Sequence, residues 1–264
     1  MDIGMPTLVE LQGLEENARL CAELGLQFVE LNMNLPEYAH VALLSRDWLR
    51  IFIRDYGVYF TLHLDERMDV CDFNPYIAEG YLNTLRHALA LAGEVGMPIL
   101  NLHMSSGVYF TLPEKKVYLY RQHEHRYLNA LERMRDLVDR EAPRGITVCI
   151  ENTGGFQDFA RRGVELLLES PQFGLTLDTG HMHCADDADA DFYVAHMDKL
   201  RHLHLHNAVR QTRKDHLPLD EGELNWQEKI GLAQSHNCRT VVEINTPQAL
   251  RTSAELLQRE KWLL

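Results

Sequence analysis

Short apolar runs with strand character alternate with stretches of helical periodicity along the whole chain. Seven of the eight short runs contain the β-branched or aromatic residues that favour strands, and the remaining run, LRHLHLHN, is recognised by its alternation. In chain order the runs are DIGMPTL, QFVELN, GVYFTLHL, MPILNLHM, GITVCIEN, FGLTLDT, LRHLHLHN and RTVVEIN. The periodicity between them predicts helices over residues 14–24, 43–56, 75–95, 116–141 and 162–169, and a last helix that begins at Pro247.

This alternation predicts parallel strands that are joined by helical crossovers. Eight such units in 264 residues match the size of a (β/α)8 barrel, so we expect residues 1–264 to form a single TIM-barrel domain of the α/β class. An open, doubly wound sheet is the alternative. That fold usually has a glycine-rich phosphate-binding turn after an early strand, and the glycines of GGFQDFARRG lack the required spacing.

The predicted strands carry histidine, glutamate or aspartate near their C-terminal ends. Successive strand residues point to opposite faces, so one face of LRHLHLHN carries His202, His204 and His206. The same alternation places a polar end on five other strands, at His63, His103, Glu151, Asp178 and Glu243. Because a TIM barrel builds its active site at the C-terminal ends of its strands, we expect these side chains to converge at one mouth.

Carboxylates that converge near a barrel axis predict a metal site. They repel one another and lose hydration, so they require a compensating cation. Nitrogen and oxygen donors without thiolate suit Zn, Mn, Co or Fe. The principal site is expected to take one ligand from each of the fifth to eighth strands, namely Glu151, Asp178, His204 and Glu243. His202 lies one pleat deeper and is expected to be structural, whereas His206 is expected to orient a ligand or contact the substrate.

Composition and charge narrow the class of protein. Apolar residues make up 45% of the chain and charged residues 25%, as in a globular protein, and no apolar run reaches the roughly 20 residues of a membrane helix. The net charge of −13 disfavours non-specific attraction to nucleic acid or to an anionic membrane. Five scattered cysteines without a CxxC pair, and a start unlike a signal peptide, predict a cytoplasmic protein with reduced thiols.

The strings LNLHMSSG, IENTGG, LTLDTGH, HLHN and VVEIN, in this order, resemble the xylose-isomerase-like TIM-barrel superfamily. This superfamily contains sugar and sugar-phosphate isomerases and epimerases, and also endonuclease IV. The resemblance extends over nearly the whole chain, and it implies a metal site at the same four residues as the principal site above. The endonuclease IV branch has additional zinc ligands, and the resemblance implies counterparts at His63, His103, His181 and His216.

One position departs from the endonuclease IV pattern. That branch has an aspartate two residues before the last histidine, where this chain has Lys214. A cation at this position would repel a third metal ion, so the resemblance does not extend to a full three-zinc cluster. Arg210, Arg213 and Lys214 form a short basic cluster, which we interpret either as a solvated loop or as a binding site for a substrate phosphate or carboxylate.

The favoured hypothesis is a metal-dependent isomerase or epimerase of a sugar or sugar phosphate. Such a reaction moves a proton next to a carbonyl group, and Glu151 and Glu243 would act as base and acid on either side of the metal. His181 or His206 would donate a hydrogen bond to the developing oxyanion. A dehydratase of a polyol or a shikimate-type acid would use nearly the same groups.

Two other classes remain open from the sequence. Metal-dependent hydrolysis of abasic DNA is favoured by His63 and His103, which a one-metal isomerase does not require, and is disfavoured by Lys214 and the acidic net charge. A non-catalytic metal-binding or sugar-binding barrel is disfavoured because both candidate acid–base glutamates are present.

Overall fold

The computed structural model describes residues 1–38 and 46–263. Eight parallel strands close into a barrel, which confirms the (β/α)8 fold and all eight predicted strands. The barrel strands are β1 (Ile3–Pro6), β2 (Phe28–Asn32), β3 (Tyr59–His63), β4 (Ile99–His103), β5 (Thr147–Glu151), β6 (Phe173–Asp178), β7 (Leu200–Leu205) and β8 (Arg239–Val242). Each strand pairs with the next, and β8 pairs with β1 to complete the barrel.

Helices connect the strands. Those with bounds in the described residues are α1 (Leu14–Glu23), α2 (Arg46–Tyr56), α3 (Pro75–Val95), α4 (Leu119–Gln122), α5 (Glu124–Glu141), α6 (Asp158–Leu168), α7 (Thr179–Cys184), α8 (Ala190–Ala195), α9 (Trp226–Ser235) and α10 (Pro247–Arg259). The predicted start of the second helix, at residues 43–45, lies outside the described residues. No helix in the described ranges combines the length and the apolar character that crossing a membrane requires.

Helix α3 shows how local sequence sets the limits of an element. The side chain of Asn74 accepts a hydrogen bond from the backbone N–H of Tyr76 at 3.1 Å and caps the first turn. Pro75 occupies a first-turn position, where no intrahelical N–H bond is lost. Gly96 ends the helix with a φ of 83°, a left-handed conformation that glycine adopts without steric cost. The observed bounds are those that the sequence predicts.

The helix predicted over residues 116–141 is wrong in its first part. Tyr109–Thr111 and Lys116–Tyr118 pair as an antiparallel hairpin, and α5 begins only at Glu124, after the short α4. The apolar residues at 117–119 continue the helical periodicity of α5 towards the N-terminus, but the N–H of Leu119 donates to the carbonyl of Val108, which holds the strand in place. This hairpin, residues 109–118, extends from the β4 side of the mouth and has exposed apolar side chains.

Candidate metal centre

The C-terminal ends of the strands surround an open cavity of about 570 Å³. Six of the residues singled out from the sequence line it, and these are His63, His103, Glu151, His181, His216 and Glu243. Four others lie fully buried beneath the cavity, and these are Asp178, His202, His204 and His206. The mouth therefore brings together every candidate residue that the strand pattern and the resemblance indicated.

The four residues of the expected principal site meet around one nitrogen atom. His204 Nδ1 lies 3.0 Å from Glu243 Oε2, 3.3 Å from Glu151 Oε1 and 3.8 Å from Asp178 Oδ2. Donor atoms of all four residues lie within 4.8 Å of one another. His204 Nδ1 is nevertheless buried without a hydrogen-bond partner, and so is Glu243 Oε2. Buried polar atoms are usually paired, so these two unpaired atoms indicate a site for a bound group that would pair with both.

A carboxylate that the sequence analysis did not single out explains why a cation fits this group. The other ring nitrogen of His204, Nε2, lies 2.9 Å from Glu30 Oε1 and donates a hydrogen bond to it. In the neutral imidazole, Nδ1 then has a lone pair that faces three carboxylate oxygens. Lone pairs and carboxylates repel one another unless a cation lies between them. One nitrogen and three oxygen donors suit Zn, Mn, Co or Fe, as the sequence predicts.

A second group shares Glu151 with the first. His63 Nε2 and His103 Nε2 lie 3.4 Å and 3.3 Å from Glu151 Oε2, on the other oxygen of that carboxylate. His63 Nδ1 lies 2.9 Å from the carbonyl oxygen of Leu64 and donates to it, so the neutral ring, which is the form that binds a metal ion, has its lone pair on Nε2. His103 Nε2 is buried and unpaired. These residues fit a second cation, which Glu151 would bridge to the first.

The remaining histidines, His181, His206 and His216, meet on the β6–β7 side of the mouth. His206 Nδ1 accepts a hydrogen bond from the backbone N–H of His216 at 2.8 Å. Its proton is therefore on Nε2, which lies 3.0 Å from both oxygens of Asp178. Both ring nitrogens are engaged, and the ring is fully buried, so the geometry favours orientation of Asp178 over contact with the substrate.

Lys214 lies at the surface of the loop, in agreement with the interpretation of its cluster as a solvated loop. Its side chain is exposed, and the neighbouring Asp215 supplies a carboxylate on the side of the histidines. Asp215 Oδ1 lies 3.1 Å from His216 Nδ1, and its Oδ2 lies 3.9 Å from His181 Nε2. A carboxylate near these histidines therefore comes from Asp215, one residue after the position that the endonuclease IV pattern predicts. His206 is hydrogen-bonded to Asp178 instead.

The two arginines of the basic cluster that follows β7 are paired with acidic residues. Arg210 Nη2 lies 2.5 Å from Asp187 Oδ2, and Arg213 Nη2 lies 2.6 Å from Asp186 Oδ2. These ion pairs are at the surface and contribute little to stability. They do, however, neutralise the two guanidinium groups that the sequence offered as a site for a substrate phosphate.

Asp178 and Gly180 hold the start of α7 against the metal centre. Asp178 Oδ1 accepts the backbone N–H of His181 at 2.6 Å and caps the helix, while its Oδ2 faces His204 Nδ1. The backbone of Asp178 also forms two hydrogen bonds with the side chain of Asn152, at 2.8 Å and 3.0 Å. A Cβ atom at Gly180 would overlap the imidazole of His206, so only glycine allows this ring to approach α7 so closely.

Burial and the neighbouring charges have opposite effects on the pKa values of the ionisable side chains in the mouth. Burial raises the pKa of Glu151 and Glu243, but the neighbouring histidines, with His204 the strongest of them, together outweigh it and hold both pKa values well below their usual range. Burial lowers the pKa of His63 and His181, but the neighbouring carboxylates raise these two pKa values to about 9 and about 10. The mouth therefore stabilises positive charge, as a preformed cation site does.

The two deeper histidines of β7 are expected to respond differently to substitution. His204→Asn should weaken metal binding by more than the roughly 10- to 100-fold that loss of an outer partner costs. His202 bonds to Glu30 at 2.9 Å and is fully buried, so His202→Asn should instead lower the free energy of unfolding by about 1–3 kcal/mol. Metal titration and denaturant unfolding of both variants test this. Equal losses of metal affinity would contradict the assigned depths.

Comparison with known proteins supports the barrel assignment. The family model described as "Xylose isomerase-like TIM barrel" matches residues 18–261. A D-tagatose 3-epimerase-like protein has a similar structure, with a TM-score of 0.77 and 18% identity over 100% of this chain and 98% of that one. For 3-keto-D-glucoside 4-epimerase from E. coli, the TM-score is 0.75 and the identity 18%, over 98% of this chain and 99% of that one.

A third similar structure is the probable 3-DHS dehydratase from Bacillus anthracis, with a TM-score of 0.73 and 15% identity over 98% of this chain and 99% of that one. No curated protein sequence matches the chain. At these identities the solved structures establish the fold alone, whereas the family model covers most of the sequence. The chain therefore belongs to the xylose isomerase-like TIM barrel family.

Proposed function

We propose that the chain is a divalent-metal-dependent isomerase or epimerase that acts on an unphosphorylated sugar. The observation that carries this proposal is the position of Glu151 and Glu243, which approach His204 Nδ1 to 3.3 Å and 3.0 Å from strands that β6 and β7 separate. Both carboxylates line an open cavity whose size is typical of small-molecule sites. Two proteins of similar structure, a tagatose epimerase-like protein and a keto-glucoside epimerase, support the same class.

In this proposal Glu151, Asp178, His204 and Glu243 hold the metal. A metal ion bound there would polarise the carbonyl and the adjacent hydroxyl of the sugar and lower the pKa of the C–H bond beside them. Glu151 and Glu243 are ionised at neutral pH because their pKa values are low, so either can remove that proton. In an isomerase the same carboxylate, now protonated, returns the proton to the neighbouring carbon. In an epimerase the other carboxylate takes a proton from water in the open cavity and gives it to the opposite face of the carbon, and the first carboxylate releases its proton to water.

His181 is placed to stabilise the charge that develops on the substrate oxygen. Its side chain is partly exposed to the cavity, and its Nδ1 has no hydrogen-bond partner. The adjacent carboxylates raise its pKa, against the effect of burial, so the ring is protonated at neutral pH and can donate a hydrogen bond. A donor held in a fixed position in this way stabilises a developing oxyanion without reorganising.

The distribution of charge favours a sugar without a phosphate group. Among the described residues that line the cavity, none is lysine or arginine. Arg210 and Arg213, on the nearby loop, are already paired with Asp187 and Asp186. A phosphate dianion would therefore meet carboxylates and no lysine or arginine among these lining residues, whereas neutral hydroxyl groups can bond to the exposed histidines and serines.

A second candidate function is metal-dependent hydrolysis of a phosphodiester. The specific observation in its favour is the pair His63 and His103 on the second oxygen of Glu151, since two bridged metal ions suit in-line displacement at phosphate. Metal analysis of the purified protein separates the two candidates. One ion per chain supports the isomerase or epimerase, and two or more, together with cleavage of an abasic-site duplex, support the hydrolase.

Solvent deuterium exchange tests the favoured function directly. Protein loaded with Mn, Co or Zn is incubated in D2O with D-tagatose, D-psicose or D-fructose, and the carbons beside the carbonyl group are followed by NMR. Incorporation of deuterium, with formation of a second sugar, is the expected result. No exchange with any sugar, while an abasic duplex is cleaved, would overturn the proposal. A 3-dehydroshikimate control detects a dehydratase through loss of water from the substrate.

A further inference from the structure

Glu30 is a buried carboxylate that reaches across the barrel from β2 to β7. In the barrel, β1 and β8 separate these two strands, so the contact spans the interior and does not belong to a strand pair. Glu30 Oε1 accepts from His204 Nε2 at 2.9 Å, and Oε2 accepts from His202 Nε2 at 2.9 Å. Thr61 Oγ1 donates a third hydrogen bond to Oε2 at 2.8 Å. The side chain is 3% exposed, so no solvent contact competes with these partners.

The two oxygens of Glu30 can only accept hydrogen bonds, and this determines which nitrogen of His202 and of His204 must be protonated. Each oxygen of Glu30 faces one imidazole nitrogen, so both rings place their proton on Nε2. For His204, the consequence is that the neutral ring, which is the form that binds a metal ion, has its lone pair on Nδ1, facing Glu151, Asp178 and Glu243. If the proton were on Nδ1, it would occupy the position that a metal ion needs.

We infer that Glu30 is a positioning residue that holds His204 in the one tautomer and orientation able to bind a metal ion. This role rests on the metal-dependent function proposed above, but it concerns the assembly of the site and not the choice of substrate. Glu30 touches neither the cavity nor the three carboxylates of the principal site, so it acts only through His204. Partners of this kind orient metal-binding histidines and raise their basicity.

Glu30→Gln tests the role because it keeps the shape of the side chain and changes the number of acceptors. Glutamine has one oxygen for two imidazole N–H groups, so one ring must face an N–H donor and move its proton to Nδ1. We expect zinc affinity to fall by roughly 10- to 100-fold, as measured by competition with a chromophoric chelator. The matched control is Thr61→Val, which removes the third contact of Glu30, leaves both oxygens for the histidines, and should retain wild-type affinity.

A double variant and a spectroscopic measurement separate positioning from general damage. In Glu30→Gln/His202→Leu, the single amide oxygen is free to serve His204, so zinc affinity should recover towards the wild type. NMR of ¹⁵N-labelled histidine should show His204 protonated at Nε2 in the wild type and in the double variant, but not uniformly in Glu30→Gln. Thermal unfolding confirms that each variant is folded.

Three results would decide against the inference. Zinc affinity in Glu30→Gln equal to that of the wild type would overturn it. So would a His204 ring that stays protonated at Nε2 while affinity falls, because the loss would then have another cause. A wild-type protein that binds no zinc, manganese or cobalt would refute the metal-dependent function itself, and the role of Glu30 with it. Zinc binding without sugar turnover would refute only the proposed substrate class.

Discussion

Glu151→Gln is expected to lower the rate of sugar C–H exchange by roughly 10²- to 10⁴-fold, the range for loss of a general acid or base. Glutamine cannot accept the proton, and it removes one of the charges that face His204 Nδ1 and His63 Nε2. Asn101 Nδ2, which donates to Glu151, would also face an amide instead of a carboxylate. Deuterium incorporation and metal content are measured on the same preparation, so that loss of chemistry and loss of metal are distinguished.

Glu255→Gln is the matched control, because this glutamate is exposed on α10, away from the mouth. It should keep the wild-type exchange rate. Glu243→Gln should behave like Glu151→Gln, since its Oε2 lies 3.0 Å from the same nitrogen. Near wild-type exchange in either mouth variant, with full metal content, would contradict the acid–base assignment.

Removal of the metal is expected to abolish exchange and to lower the midpoint of thermal unfolding. A ligand that binds only the folded state stabilises it by about 2.7 kcal/mol when its free concentration is 100 times its Kd. Without an ion, His204 Nδ1 and Glu243 Oε2 are buried and unpaired, so the folded state is the one that gains from binding. Calorimetric scans before and after dialysis against a chelator measure the difference, and re-addition of metal should reverse it.

His204→Asn supplies the control for this measurement. The variant retains the carboxylates of the mouth but lacks the nitrogen that they surround, so added metal should raise its unfolding midpoint much less than that of the wild type. An unchanged midpoint in the wild type after complete removal of metal would show that the site binds weakly or not at all.

The strand pattern predicted the barrel and the convergence of the four residues of the expected principal site, because both depend on a short-range rule. Alternation along a strand places Glu151, Asp178 and His204 on the inner face, and a barrel brings inner faces together whatever the details of packing. Helix α3 was predicted to the residue because its cap, its proline and its terminal glycine are all local signals. Neither result required knowledge of a distant contact.

The features that sequence did not predict depend on distant contacts. Glu30 occupies an inward position of FVELN, so its parity was visible, but its two histidine partners are more than 170 residues away. The sequence left the role of His206 open between orienting a ligand and contacting the substrate, because the choice depends on a backbone N–H from His216. The hairpin at 109–118 was missed because its last residues share the apolar spacing of the helix that follows, and a pattern alone could not separate them.

Two parts of the mouth differ in how far their sequence can change without disturbing the candidate metal ligands. On the β6–β7 side, Asp178 is tied to Asn152, to the start of α7 and to His206, and Gly180 leaves no room for a larger residue. Substitutions there would disturb the metal ligands. The hairpin at 109–118, beyond β4, has exposed side chains, and none of its residues belongs to the ligand groups. Sequence change can therefore accumulate in this hairpin without altering the residues of the candidate metal centre.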